Sequence, residues 1–308
     1  MSAPNFENFP YPYRIISARR REDLKNEIES LHSTDQLPDI VYRSYTRIFD
    51  CPLPQGFSDS ASIFVTAVPR PQETIGFEWN GSIHPLLIPP TYIGFWEYTA
   101  KVKHLLNEIV SPYGYKLEYA RIPQKIAATR CGLAKYGRNN ISYVPGYGSL
   151  HMLVTYYIDI PCTQDTWQEP QLMEQCRTCT ACSAACPSKA IPKNGHLIKQ
   201  DRCLTLYSGY SGKLDFPQWL DTSWVECLVG CMRCQRICPE NRPYINWIEQ
   251  SETFTQEETR LMREGLTEET LPQGIREKLD RTDLIRFFGL KECLEMLSKK
   301  LNLLLPKN

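Results

Sequence analysis

The sequence predicts an α/β (α+β) domain followed by a cysteine-rich segment and a helical C-terminal extension. Up to about residue 165, apolar runs with strand-like and helix-like spacing alternate. Nine of the 13 cysteines then lie between Cys176 and Cys238, where little regular hydrophobic periodicity occurs. From about residue 246, leucines recur at three- and four-residue spacing among charged residues. The predicted segments are therefore 1–165, 166–245 and 246–308.

The elements of the first segment follow from its apolar patterns. Residues 13–18 are typical of a short strand, and Leu24, Ile28 and Leu31 then recur on one helical face. Further strands are predicted at 62–68, 115–119, 141–144 and 153–160, and further helices at 95–110 and 125–133. In the extension, leucines from Leu290 to Leu304 predict a final amphipathic helix that packs back onto the first segment.

Charge and composition exclude several classes of protein. The chain has 35 basic and 35 acidic side chains and a formal net charge of 0, which gives no global attraction to nucleic acid or anionic lipid. No apolar stretch approaches the ~20 residues of a membrane-spanning helix. The first 21 residues lack the apolar core of an export signal, which predicts a cytoplasmic protein. In a reducing compartment, clustered cysteines indicate metal rather than disulfides.

The cysteines form two related motifs. The first run is Cys-x2-Cys-x2-Cys-x3-Cys-Pro, and a second run repeats its second half; its members are Cys176, Cys179, Cys182 and Cys186, then Cys231, Cys234 and Cys238. This spacing is that of bacterial ferredoxins that hold two 4Fe-4S clusters. A lone Cys-x2-Cys would also suit zinc, but zinc sites rarely use two such interleaved runs. The segment is therefore predicted to be a ferredoxin-like double-cluster domain.

The spacing also predicts how the ligands are shared. Three cysteines two residues apart surround one cluster, and the cysteine before proline reaches the other cluster. The first cluster is thus assigned to Cys176, Cys179, Cys182 and Cys238. The second is assigned to Cys186, Cys231, Cys234 and one further thiolate, for which Cys203 and Cys227 are the candidates.

Motifs around these cysteines occur in one characteristic order. They are residues 131–140, the turn at 145–150, the run from Cys176 to Ile191, Arg202-Cys203-Leu204, and residues 230–241. This order resembles the epoxyqueuosine reductase and reductive dehalogenase superfamily. The resemblance implies a nitroreductase-like α/β domain, an appended domain with two 4Fe-4S clusters, and a cobalamin between them. It also favours Cys203 over Cys227, because the superfamily carries a similar Arg-Cys segment.

The resemblance further implies candidate residues for the corrin and for catalysis. Two segments correspond to those near the corrin; they contain Gly137, Arg138 and Asn139, and Gly146, Gly148 and Ser149. The superfamily's catalytic Asp is absent: alignment on Pro123 places Ala120 there, whereas alignment on Gly132 places Glu118 there. Tyr98 lies roughly where members carry an active-site Tyr, although it also suits a core aromatic. Glu118 and Tyr98 are the proton-donor candidates.

The leading functional hypothesis is an oxidoreductase in which two 4Fe-4S clusters pass single electrons to cobalamin, which reduces an organic substrate. Its partners would be a ferredoxin or flavodoxin as electron donor and a small molecule or modified nucleoside as substrate. The alternative is an electron-transfer or reductive-activation protein that serves a corrinoid protein or another partner. Nucleic acid is disfavoured by the zero net charge and by the absence of the helical-repeat domain of longer epoxyqueuosine reductases.

Overall fold

The computed structural model describes residues 4–209 and 214–307. The strands are β1 (Tyr13–Ser17), β2 (Ser62–Pro69), β3 (Gln72–Trp79), β4 (Ser82–Ile88), β5 (Leu117–Tyr119), β6 (Lys135–Tyr136), β7 (Ser142–Tyr143), β8 (His151–Ile158) and β9 (Ile248–Phe254). The helices are α1 (Arg20–Ser33), α2 (Asp39–Ile48), α3 (Phe95–Val110), α4 (Gln124–Arg130), α5 (Ala181–Ala185), α6 (Leu204–Gly209), α7 (Arg233–Arg236), α8 (Gln256–Glu264), α9 (Gln273–Arg281), α10 (Leu284–Phe288) and α11 (Leu290–Leu304).

These elements form two compact units whose residues alternate along the chain. The first unit contains Met1–Pro69, Trp96–Thr180 and Ile191–Gln200. The second contains Arg70–Phe95, Ala181–Ala190 and Asp201–Asn308. The predicted segments 1–165 and 166–245 each contribute to both units, and 246–308 contributes to the second alone. The boundaries of these three segments stay a prediction.

The first unit is built on a four-stranded antiparallel sheet of order β1-β2-β8-β5. Apolar side chains of β2 and β8, such as Val65 and Tyr157, form one core with Leu24 of α1 and Ile126 of α4. Every residue of β8 is buried, which explains its nearly continuous apolar sequence. The predicted strands near 13–18, 62–68 and 153–160 and the helices near 95–110 and 125–133 are confirmed as elements.

The second unit contains a sheet that the sequence pattern did not predict. Strands β3 and β4 form an antiparallel hairpin, and β9 pairs parallel with β3. The hairpin turn is Asn80-Gly81, and both residues have positive φ, 51° and 76°. This dipeptide is the strongest local signal of a two-residue hairpin, and it could have identified the sheet.

The C-terminal extension is mostly helical, as predicted, but it begins with strand β9. Phe254 at the end of β9 is fully buried and stacks on Phe77 of β3, with 5.3 Å between ring centroids. Because the hydrogen-bonding partner of β9 is about 175 residues away in sequence, no local pattern identifies this strand. Helices α8 to α11 then pack around one core with β3 and β4. The extension therefore contacts residues of the first predicted segment.

None of the helices within residues 4–209 and 214–307 is both long and apolar enough to cross a membrane.

Candidate cluster-binding site

The first cysteine run is folded into short turns. Cys176 lies on a 3-10 helix, Glu174–Arg177, and the Cys179 amide donates a hydrogen bond to the Gln175 carbonyl at 3.0 Å. Cys182 lies on the five-residue helix α5, and Cys186 follows immediately after it. These helical segments are only four and five residues long, so neighbouring cysteines of this run are about one helical turn apart in sequence.

The second run repeats this local structure. Cys234 lies on the four-residue helix α7, and Cys238 precedes a 3-10 helix at Pro239–Asn241. Asn241 is fully buried and fixes this turn, because its side-chain amide donates to the Gln235 carbonyl at 2.8 Å. The sequence pattern did not single out Asn241. Its only local signal was its place three residues after Cys238.

Helices α5 and α7 pack against each other in the second unit. Each is a single turn or little more, carries one cysteine, and is followed by a cysteine and a proline. The two motifs therefore meet through these helices, Cys182 and Cys186 belonging to one motif and Cys234 and Cys238 to the other. This is the pairing that a crossed ligand arrangement requires.

Both candidates for the eighth ligand lie in the same neighbourhood of the second unit. Burial raises the pKa of Cys203, and the Cys186 thiol raises it further. Burial raises the pKa of Cys231 to about 12, and both Cys227 and Cys203 contribute to that rise. Cys203 is thus affected by Cys186, and Cys231 is affected by both candidates, Cys203 and Cys227. Cys203 directly precedes α6, whereas Cys227 pairs with Leu87 through an isolated β-bridge.

The donor chemistry of these cysteines fits iron–sulfur clusters. All 13 cysteines of the chain have free thiols. In the cluster region, burial raises the pKa of Cys203, Cys227 and Cys231, and a bound cation would compensate for the cost of deprotonating these thiols. Iron supplies that compensation when thiolates bind it. Within residues 4–209 and 214–307, no three His, Cys, Asp or Glu side chains are arranged to hold a single metal ion, so the cluster assignment rests on the spacing of the cysteines and on the packing of α5 against α7.

Arg138 lies beside the first cysteine run. Its side chain is 3% exposed and donates hydrogen bonds to three main-chain carbonyls, those of Cys176, Cys179 and Lys193. The Nε bond to Cys179 is 3.0 Å long. The guanidinium thus holds the loop that carries two of the predicted ligands. The hydrogen-bond partners of the guanidinium are thus main-chain carbonyls.

The other predicted corrin residues lie on one hairpin and the turn that follows it. Asn139 donates to the Tyr143 hydroxyl at 3.0 Å, and an added Cβ at Gly137 would lie 2.5 Å from Tyr143. Ser149 is buried, whereas Gly146 has φ of 84° and open space where a Cβ would point. The Asn139 side chain is therefore bound within the protein. The turn at Gly146 leaves its backbone accessible to a large ligand.

The two proton-donor candidates lie on separate elements. Glu118 is exposed on β5, opposite Tyr157 of β8. Tyr98 is half-buried on α3, beside the fully buried face formed by Thr99, Val102, Leu106 and Val110. The Lys101 ammonium lies 5.8 Å from the centre of the Tyr98 ring. Their assignment to catalysis stays a prediction.

Sequence reasoning missed a buried cation near the second set of cysteines. Lys300 of α11 is fully buried, and its ammonium donates to the Ser208 hydroxyl at 2.5 Å and to the Cys227 carbonyl at 3.3 Å. Burial lowers the pKa of Lys300 to about 8, and the sulfurs of Cys227 and Cys231 oppose that fall. The sequence signal that could have revealed this buried cation is the position of Lys300 on the apolar face of α11, four residues after Met296.

Comparison with known proteins identifies the cluster region and the fold. Residues 175–241 match the 4Fe-4S double cluster binding domain. The epoxyqueuosine reductase of Aliivibrio fischeri is 31% identical over 144 residues, 46% of this chain and 37% of that protein. That of Cyclobacterium marinum is 30% identical over 142 residues, 46% of this chain and 44% of that protein. The chain thus matches less than half the length of these curated relatives.

Solved structures resemble a larger part of the chain. The epoxyqueuosine reductase of Streptococcus thermophilus matches 95% of this chain and 76% of its own, with a TM-score of 0.61 and 17% identity. An epoxyqueuosine reductase solved with an epoxyqueuosine-modified tRNA-Tyr stem loop matches the same shares, with a TM-score of 0.62 and 19% identity. The chain is thus similar to the epoxyqueuosine reductases and shares their mixed α/β fold, and its residues 175–241 match a double 4Fe-4S cluster domain.

Proposed function

We propose that this chain is an iron–sulfur oxidoreductase of the epoxyqueuosine reductase type. Two 4Fe-4S clusters would pass single electrons to cobalamin, and the substrate would be an organic molecule of the modified-nucleoside class. The observation that carries the proposal is the pair of cysteine-bearing helices α5 and α7, packed together inside a double cluster domain.

The ligands of the first cluster are proposed to be Cys176, Cys179, Cys182 and Cys238. Those of the second are proposed to be Cys186, Cys203, Cys231 and Cys234, with Cys227 as the alternative to Cys203. The mutual effects among Cys186, Cys203 and Cys231 support the second set. The electron donor is proposed to be a low-potential ferredoxin or flavodoxin.

Cobalamin is proposed to lie near Gly137–Asn139 and Gly146–Ser149. Bound there, it would supply the low-valent cobalt that carries out two-electron reduction. The open backbone at Gly146 fits a large planar ligand, because glycine lacks a Cβ that would collide with it. Arg138 and Asn139 would act by holding the surrounding loops, since their side chains already bind other groups of the protein. Glu118 and Tyr98 are proposed as proton donors to the substrate.

Anaerobic reconstitution tests the cluster part of this proposal. Two cubanes would give about eight iron and eight sulfide per chain. Stoichiometric zinc without visible charge-transfer absorption would contradict it.

A titration with cob(II)alamin tests the corrin part. Binding should convert the corrin spectrum to its base-off form at micromolar concentration, which corresponds to about −8 kcal/mol. A protein with two clusters and no corrin binding would instead be an electron-transfer protein that serves a partner. Turnover should then be measured with an epoxyqueuosine-containing stem loop and with the free nucleoside, because these two substrates separate recognition of tRNA from recognition of the base.

A further inference from the structure

Lys300 is an unusual residue for the interior of a protein. Lysine is rarely fully buried unless its charge is paired. Here the side chain has no exposed surface, and its neighbours on α11, Leu297 and Leu301, belong to the apolar core. The ammonium reaches the Ser208 hydroxyl on α6 and the Cys227 carbonyl.

No carboxylate balances this charge among the residues at 4–209 and 214–307. The groups that favour the charged ammonium are the sulfurs of Cys227 and Cys231, and the neighbouring Lys299 opposes it. An isolated buried charge is strongly unfavourable, so a nearby negative group is needed to retain it. Two polar contacts with neutral groups do not provide that charge.

A 4Fe-4S cluster with four thiolate ligands would provide it. Such a cluster carries a net charge of about −2 when oxidised and about −3 when reduced by one electron, and its potential depends on nearby charges and hydrogen bonds. The Lys300 ammonium lies 3.3 Å from the carbonyl of Cys227, four residues before the proposed ligand Cys231, and its other partner, Ser208, lies on the helix that follows Cys203. Both observations place the cation beside the second ligand set.

We propose that Lys300 is the internal counter-ion of the cluster held by Cys186, Cys203, Cys231 and Cys234, and that it raises the reduction potential of this cluster. The inference rests on the ligand assignment under the proposed function. The step it affects is the transfer of one electron from a low-potential donor to the oxidised cluster. No bond forms or breaks, and the added negative charge is stabilised by the fixed ammonium.

The test is an EPR-monitored redox titration of the reconstituted full chain, with dithionite as reductant. The neutral variants Lys300→Gln and Lys300→Met remove the charge, and Lys300→Arg retains it. Lys299→Met is the matched control, because Lys299 is the adjacent lysine, partly exposed and paired with Asp215 at 3.2 Å. The signal of the second cluster is identified beforehand as the one that Cys203→Ser removes; if Cys227→Ser removes a signal instead, that signal is used.

We expect the neutral variants to shift one of the two titration waves. At the wild-type midpoint, the ratio of oxidised to reduced second cluster should rise about tenfold, which is 59 mV for a one-electron couple. The first cluster should titrate unchanged. Lys300→Arg should retain most of the wild-type potential, and Lys299→Met should leave both waves near their wild-type positions.

The outcomes separate this inference from the proposed function. A wild-type chain that binds no clusters would overturn the proposed function and this inference with it. Two clusters with unchanged potentials in both neutral variants would overturn the counter-ion role alone. Loss of both clusters or of helical structure in both neutral variants, with Lys299→Met intact, would identify Lys300 as a residue required for folding and would also overturn it.

Discussion

Arg138 shows how one side chain can support a ligand loop through hydrogen bonds to its main-chain carbonyls. Its guanidinium is buried and donates to the carbonyls of Cys176, Cys179 and Lys193. Hydrogen bonds that involve a charged group each contribute roughly 1.5–3 kcal/mol, and the planar guanidinium can serve several acceptors at once. The loop of the first cysteine run is therefore held in place before any iron binds.

We expect Arg138→Gln to weaken iron retention in the first cluster. The substitution leaves buried carbonyls without their donor, at a cost on the order of 3 kcal/mol. Iron release to a chelator should become several-fold faster for one cluster and stay unchanged for the other. The control is Arg177→Gln, since Arg177 lies on the same loop, but its side chain is 71% exposed and pairs with Glu174. Equal release rates in wild type and Arg138→Gln would show that the loop does not depend on this residue.

Substitutions of Cys203 and of Cys227 should have different effects, because only one of these residues is the eighth ligand. We expect Cys203→Ser to remove one EPR signal and about four iron atoms per chain, because a cubane needs its fourth thiolate. We expect Cys227→Ser to retain both clusters. Iron analysis with EPR of the reduced protein checks this, and a reversed pattern would transfer the assignment to Cys227.

At the scale of elements, the packing of α5 against α7 connects cysteines that are far apart in the chain. The crossed assignment predicts that Cys176→Ser and Cys238→Ser damage the same EPR signal, although 62 residues separate them. Cys234→Ser, a change on the same helix pair, should damage the other signal. Loss of two different signals in the first two variants would refute the crossed arrangement.

The hairpin β3–β4 depends on its turn. Gly81 has φ of 76°, a conformation that costs an ordinary L-residue about 1–2 kcal/mol. Gly81→Ala should therefore lower the free energy of unfolding by about 1 kcal/mol in a urea titration. Gly274→Ala is the control, because Gly274 lies in α9 with helical φ and open space around its Cβ position. That change should be neutral or stabilising, since alanine favours helix. If Gly274→Ala lowered the free energy of unfolding and Gly81→Ala did not, the positive φ of Gly81 would not explain the stability of the hairpin.

At the scale of the whole molecule, buried titratable groups couple global stability to pH. His151 lies on β8 with 3% of its surface exposed, and burial lowers its pKa from 6.5 to about 4. The folded state thus keeps His151 neutral, while the unfolded chain binds a proton below pH 6.5. The stability from this residue is fully present above pH 6.5 and decreases as the pH falls from 6.5 towards 4.

This linkage predicts a measurable loss of stability in mild acid. Between pH 7.5 and 5.5, the free energy of unfolding should fall by roughly 1 kcal/mol through His151 alone. His151→Gln should show a pH dependence smaller by that amount in urea titrations of the cluster-free chain. His104→Gln is the matched control, because the His104 side chain is 75% exposed. If the free energy of unfolding had the same pH dependence in wild type and in His151→Gln, His151 would not be the cause of the stability loss in acid.

The sequence by itself determined the features whose signals are local. Cysteine spacing indicated the double cluster domain because the ligand loops are short, and the matched range 175–241 confirms it. The alternation and helical spacing of apolar residues located β1, β2, β8, α3 and α11, since each element buries one face or one continuous run. The order of motifs indicated the similarity to epoxyqueuosine reductases that the comparisons show.

Only the tertiary structure decided the features that depend on distant partners. The pairing of β9 with β3 joins segments about 175 residues apart, and neither segment specifies the other. Arg138 is a fixed support, rather than a surface ion pair, because its three acceptor carbonyls come from residues at least 38 positions away. Lys300 became a candidate counter-ion because folding buries its ammonium beside the Cys227 carbonyl. Burial and long-range hydrogen bonds determine what these charged side chains do, and neither is encoded in local sequence periodicity.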